Sequence, residues 1–433
     1  MQWSRYNLLF CSKRNGWLLY NSGSGSLVHM DDDAVAYVEK VKDDPNMDFV
    51  KFPDLYIKLR HGGFLVEDGK DDDLIRILKM RRLSLNYSDD ALTLTIALTK
   101  DCNFDCDYCF ERNRVPSSMS DDTEDKLINF IERHKLISKV SVVWYGGEPL
   151  LEFERMRSLS EKIQALGKSY QCAIITNGYC LTPEVISNVK ELKLSVVQIT
   201  IDGTKETHDN RRHLIGGGQT YDRIIGNIDS LMKSEWEGLL SIRVNVDDSN
   251  SEEFAGVHSM IKAKYPEQFG KHIQVYPGFI HNIGDPQAGN CLDSRDKGRF
   301  FADIAKATRA GDVALFPRIA AGGCTMTKKN AYVVGPDGEL YKCWDDVGDE
   351  NGVIGSVACY TNWNMSLVAE GMVGASYLED DNCLKCFFFP ICDGGCPKAR
   401  MHNKRDNGCR DTCSYFKENT KELLELHYEQ KIQ

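Results

Sequence analysis

Three cysteines in the run Cys102-Asn103-Phe104-Asp105-Cys106-Asp107-Tyr108-Cys109 are spaced C-x3-C-x2-C. Thiolates are soft ligands that suit zinc or iron–sulfur clusters. A four-iron cubane takes four ligands, and this loop offers three. One iron would stay open, much as an open position marks a catalytic zinc site. An open iron can chelate a small amino acid through its amino and carboxylate groups. The competing reading is a zinc knuckle, which needs a fourth Cys or His nearby. None follows within the ten residues after Cys109.

Eight further cysteines, Cys324, Cys343, Cys383, Cys386, Cys392, Cys396, Cys409 and Cys413, crowd the last third of the chain. The N-terminus shows no signal peptide, and no apolar stretch is long enough to span a membrane. The expected location is therefore cytoplasmic, where clustered cysteines read as metal ligands before disulfides. Two four-ligand cubanes need eight thiolates, and two zinc ribbons would fit the same count. The other five, Cys11, Cys172, Cys180, Cys291 and Cys359, read as structural thiols.

The 433 residues suggest about three domains at ~150 residues each. A net charge of −11 repels phosphate backbones, so no nucleic-acid partner is expected. The acidic runs Asp31-Asp32-Asp33 and Asp71-Asp72-Asp73 read as solvated helix starts.

Alternating elements must position the first cysteine loop. Strand Leu92–Leu98 ends just before Cys102. Strands 140–144, 172–176, 196–201, 240–246 and 272–276 follow, separated by helices 122–134, 153–166, 183–192, 221–233 and 254–264. Six strands with five helices between them imply a parallel sheet coiled into a partial barrel, with its chemistry at the C-terminal strand ends. Ahead of it, residues 1–85 predict a separate small domain. It has a hairpin of Tyr6–Phe10 with Trp17–Tyr20, a strand at Leu27–His29, helices at 31–41, 55–60 and 73–83, and a strand near 62–66. Past about 286 a helix over 297–310 leads into a loop-rich region.

The motif order resembles the radical SAM superfamily. Gly146-Gly147-Glu148-Pro149 after the second strand matches that family's GGE motif, which contacts the methionine amino group of S-adenosylmethionine (SAM). Glycines there let backbone approach closely. Thr176-Asn177-Gly178 follows the third strand, as in the family. Thr200-Ile201-Asp202-Gly203, His208-Asp209 and Arg212 match the fourth-strand region that supplies ribose and carboxylate contacts. Tyr108 joins these as a cofactor-binding residue. The resemblance implies that Cys102, Cys106 and Cys109 hold a [4Fe–4S] cluster that reduces SAM to methionine and a 5′-deoxyadenosyl radical.

The later cysteines resemble a SPASM domain with two auxiliary [4Fe–4S] clusters, three clusters in all. The resemblance gives the first to Cys324, Cys343 and Cys396. It gives the second to Cys383, Cys386, Cys392 and a last cysteine, matched by Cys413, with Cys409 completing the first cluster or exchanging with Cys413. Residues 1–85 resemble the winged-helix leader-recognition element of ribosomal-peptide maturases, with a structural cap as the alternative. The expected domains are thus 1–85, a radical SAM partial barrel at 86–290, and a SPASM domain at 291–433. The function implied is hydrogen abstraction from a ribosomally made precursor peptide to install a cross-link, foremost a Cys thioether. A flavodoxin or ferredoxin would serve as electron donor. The alternatives are an anaerobic sulfatase (formylglycine) maturase, carbon–carbon cross-linking of a peptide, and a non-catalytic iron–sulfur electron-transfer protein.

Overall fold

The structure is a computed structural model that describes residues 1–47, 52–111, 114–280, 291–308 and 323–432. The chain divides into two compact units, and each gathers segments distant in sequence. One unit joins Tyr87–Leu292 with Cys324–Gly374. The other joins Met1–Asn86 with Asp293–Gly323 and Ala375–Gln433.

The first of these units is built on a nine-stranded sheet. Six strands, Ala91–Ala97, Lys139–Tyr145, Ser169–Thr176, Leu194–Thr200, Leu239–Val246 and Ile273–Phe279, lie side by side in chain order and pair in parallel. Every second residue is sealed: Leu92, Leu94 and Ile96 on the first strand, and Leu240, Ile242, Val244 and Val246 on the fifth. Thr95, Ala97, Ser241 and Asn245 beside them are buried too, as strands of a parallel sheet covered on both faces require. Because the strands run one way, the loops at their carboxyl ends share one edge. The sequence pattern ended at six strands, but the sheet does not. Ala331–Val334 adds in parallel beside the first strand, followed by antiparallel Glu339–Tyr341 and Gly355–Ser356.

Two local expectations change. The helix expected over 183–192 stops at Ser187. The Ser187 hydroxyl and the Asn188 side-chain amide both donate to the Glu184 carbonyl, at 2.7 and 2.9 Å, and so compete with the helical ladder. The helix expected over 297–310 runs Ser294–Ala307, begun by Asp293, whose carboxylate accepts from the Asp296 amide. The expected end, residue 310, lies outside the described residues.

In the other unit a three-stranded antiparallel sheet orders Asn7–Ser12, Gly16–Asn21 and Leu27–Met30, with the middle segment central. Alternation along the central strand splits the apolar residues between two faces. Leu19 packs with Val35, Val38, Val41, Leu59 and Phe64 from helices Asp32–Asp43 and Pro53–His61 and the turn that follows. Leu18 and Tyr20 face the other way, with Phe10, and pack on Leu424, Phe387 and Tyr428. Those partners come from the far end of the chain, where helix Phe416–Ile432 replaces part of the loop-rich region expected there. Helix Lys70–Asn86 joins the same unit, with Leu78 packed on Leu378 and Phe389. Residues 1–86 thus share their core with residues beyond 375. Among the described residues, no helix is long and apolar enough to cross a membrane.

Candidate active site and cysteine sites

The C-x3-C-x2-C loop follows the first strand of the nine-stranded sheet, at the carboxyl edge. Cys106 is buried, and Cys102 and Cys109 are partly so. Burial pushes all three thiols up, Cys102 to about 12, so the free thiols hold their protons. Binding a cluster must displace those protons. The Phe104 amide donates to the Cys102 sulfur at 3.4 Å, and the positive charge of Arg212 reaches all three thiols. Among the described residues, no three His, Cys, Asp or Glu side chains converge on one point as a single zinc ion needs. A cubane spreads its thiolates over separate irons, and a soft all-sulfur set with backbone and cationic support fits it.

Gly146 and Gly147 serve this loop directly. The Gly147 amide donates to the Thr99 carbonyl at 3.0 Å, and the Glu148 amide to the Asp101 carbonyl at 2.8 Å. A Cβ on Gly146 would lie 2.3 Å from the Thr99 oxygen, and one on Gly147 only 2.1 Å from the Asp101 oxygen. Gly146 also has φ near +123°. The glycines let one backbone lie against another, so the close approach expected toward a ligand is already made to the cysteine loop.

Glu148 is fully buried. Its carboxylate accepts from the Leu150 amide (3.0 Å), the Thr176 hydroxyl (2.7 Å) and the Asn177 amide (2.7 Å). Pro149 opens the short turn Pro149–Glu152 beside it. Asn177 in turn donates from its side chain to Asn103 of the cysteine loop at 2.7 Å. Glu148 therefore ties the second and third strand ends together and, through Asn177, to the cysteines. Glu148→Ala would strand three buried donors at roughly 1–3 kcal/mol each. We expect the melting temperature of cluster-loaded protein to fall by the equivalent of at least about 2 kcal/mol. An unchanged melting temperature with weakened SAM binding would assign the carboxylate to the ligand instead.

Tyr108 is the hub of a second network. Its hydroxyl donates to Asp202 and accepts from Arg212 (2.5 Å) and Asn245 (3.0 Å). Asp202 is sealed, accepts from the Asn245 amide and lies 3.5 Å from Arg211, which also pairs with Asp247 at 3.0 Å. Thr200, at the end of the fourth strand, is paired in register with Arg243. Arg212 closes helix Lys205–Arg211, which no periodicity announced because it is only two turns long. Asn245, on the strand beside the Asp202 motif, and Asn103, inside the cysteine run, were not expected at the site, since neither has a pattern of its own.

The later cysteines are distributed over both units. Cys324 and Cys343 lie in the unit with the nine-stranded sheet. Lys342, beside Cys343, is buried and donates to the Lys328 and Ala331 carbonyls at 2.5 and 2.9 Å, pinning the chain that follows Cys324. Cys383, Cys386, Cys392, Cys396, Cys409 and Cys413 lie in the other unit. Within it, one cavity is lined by Cys383, Cys386, Cys392 and Cys413 together with Arg400 and Lys417. Cys396 and Cys409 are exposed and are not among its walls. Four thiols and two cations in one cavity are a donor set that fits a fully cysteine-ligated cubane.

Residues 96–261 match the family model described as the radical SAM superfamily. A serine-type anaerobic sulfatase-maturating enzyme of Bacteroides thetaiotaomicron is 26% identical over 366 residues, spanning 73% of this chain and 86% of that protein. The solved structure of anSMEcpe with bound AdoMet and a Kp18Cys peptide superimposes with a TM-score of 0.63 at 20% identity, covering 79% of this chain and 98% of that one. Streptococcus suis SuiB bound to its precursor peptide SuiA gives 0.51 at 15% identity, covering 91% and 95%.

Proposed function

We propose that this chain, whose residues 96–261 match the radical SAM superfamily model, is a peptide maturase that abstracts hydrogen from a ribosomally made precursor and installs a cross-link, foremost a Cys thioether. A [4Fe–4S] cluster on Cys102, Cys106 and Cys109 with SAM supplies, when bound, a 5′-deoxyadenosyl radical. Arg212 offers a cation to the SAM carboxylate beside the loop. Tyr108, Asp202 and Asn245 hold the loop against the fourth and fifth strands. Cys383, Cys386, Cys392 and Cys413 hold one auxiliary cluster, and a second falls to the other cysteines of the C-terminal set. A flavodoxin or ferredoxin delivers the electron.

The observation that carries the peptide reading is the antiparallel sheet near the N-terminus. Its Leu27–Met30 edge has no further strand beside it among the described residues. An extended leader can add along such an edge through main-chain hydrogen bonds. The Asn21 amide donates to the Ser26 carbonyl at 2.9 Å, and pairs alternate from there. The Leu27 and His29 amides therefore point outward. His29→Pro removes one outward donor and no internal ladder bond. We expect a severalfold weaker affinity for the precursor with unchanged iron content and unchanged SAM cleavage without peptide. Equal affinity would place the leader elsewhere.

The likeness to a sulfatase-maturating enzyme favours a second reading, formylglycine formation. Mass spectrometry of the product separates the readings. A thioether costs the peptide two hydrogens and blocks a thiol from alkylation. A carbon–carbon link costs two hydrogens and spares the thiol. A Cys-to-aldehyde conversion loses sulfur.

A further inference from the structure

The cavity lined by Cys383, Cys386, Cys392 and Cys413 has a guanidinium aimed at one of its sulfurs. Arg400 Nη2 donates to Cys383 Sγ at 2.9 Å. Two further contacts fix that aim. Nε donates to the Gly394 carbonyl at 2.6 Å, and Nη1 pairs with Asp380 at 3.1 Å. The other oxygen of Asp380 accepts from the Asn382 and Cys383 amides, at 3.0 and 3.4 Å. One carboxylate thus orients both the cysteine and the guanidinium that meets it. Gly394 sits at φ +85°, where a Cβ would lie 2.1 Å from the Tyr377 ring. The carbonyl that holds Arg400 therefore depends on glycine.

We propose that Arg400 is a positioning residue that raises the reduction potential of the cluster in this cavity. The proposal rests on the reading that these four thiols hold a cubane. A cubane with four thiolates carries two negative charges when oxidised and three when reduced. Away from water, the cost of charge grows faster than the charge itself, so the reduced state is penalised more. A fixed cation with an N–H on a ligand sulfur favours the more negative state, and hydrogen bonds to sulfur are a main control of such potentials. Lys417 is the weaker partner. It is exposed, and its Nζ stands 3.9 Å from Cys413 Sγ. A flexible ammonium at that distance holds no fixed geometry, whereas the guanidinium fork is locked on three sides.

The test uses the full chain carrying Cys102→Ala, Cys106→Ala and Cys109→Ala, so that auxiliary clusters alone report. Iron content is measured first, and midpoint potentials are then read by EPR-monitored titration. Arg400→Gln is expected to lower one auxiliary potential by at least ~59 mV, a tenfold change in a one-electron reduction equilibrium. The second auxiliary potential stays in place. Arg400→Lys is expected to lower the same potential by less, and Lys417→Met least. Full iron with an unmoved potential in Arg400→Gln would overturn the proposal. If Arg400→Gln loses iron, Arg400→Lys decides, because it keeps the charge and removes only the fixed fork: a lowered potential supports the proposal and an unmoved one overturns it. The underlying cluster reading fails separately if Cys392→Ala leaves iron content and spectrum unchanged.

Discussion

Replacing Cys102, Cys106 and Cys109 together with alanine is expected to remove about four of about twelve irons, at four irons per cluster, and to abolish SAM cleavage. The three thiols occupy one loop braced by Gly147, Glu148, Asn177 and Tyr108, so losing them removes the ligands and leaves the braces. The fold should therefore survive, and far-UV circular dichroism should be close to wild type. Cys180 is the informative control. Its sulfur accepts from Asn103 at 3.8 Å, which brings it near the loop, but it lies outside the three-thiol spacing. Cys180→Ala should keep full iron and full SAM cleavage. Persistent 5′-deoxyadenosine production in the triple variant would refute the assignment, and bound zinc in place of iron would refute the auxiliary clusters.

The second large effect concerns the first 85 residues. A removable leader-binding domain would predict that deletion weakens precursor affinity and leaves the clusters alone. The core of that unit predicts more damage. Deletion strips Phe10, Leu18 and Tyr20 from Leu424 and Phe387, and Leu78 from Leu378 and Phe389. It also removes Arg82, whose guanidinium donates to the Cys392 carbonyl at 2.7 Å and lies 5.2 Å from the Tyr377 ring. The Ser22 hydroxyl, which donates to the Phe387 carbonyl at 2.5 Å, goes with it. Each fully buried large side chain contributes about 1.5–3 kcal/mol, so several together are comparable to the whole stability of an ordinary domain. We expect the truncated protein to lose about four irons, those of the cavity with Cys383, Cys386, Cys392 and Cys413, along with cooperative melting of that unit. Full iron retention in a soluble truncation would show that the N-terminal segment is dispensable to the auxiliary site. Leader recognition is then better tested by His29→Pro, which gives up one ring contact with Tyr428 and leaves the rest of the shared core in place.

The cysteine loop and its sheet were legible in the sequence because their signals are local. The apolar run with Leu92, Leu94 and Ile96 marks a buried strand by itself, and three thiols in eight positions have few chemical uses. The order of Gly146-Gly147-Glu148, Thr176-Asn177 and Asp202 along successive strands also survives translation into space, because parallel strands bring their carboxyl ends to one edge. The tertiary structure decided what spacing could not. It showed that Glu148 is occupied by Leu150, Thr176 and Asn177, and that the glycines are needed by Thr99 and Asp101. It placed Cys413, and not Cys409, on the wall of the cavity with Cys383, Cys386 and Cys392. It gathered the two ends of the chain into one unit through Leu18, Tyr20 and Leu424. Those contacts join residues hundreds of positions apart, and their energies depend on apolar side chains meeting face to face. A linear pattern records which face a residue takes, but not which distant face it will meet.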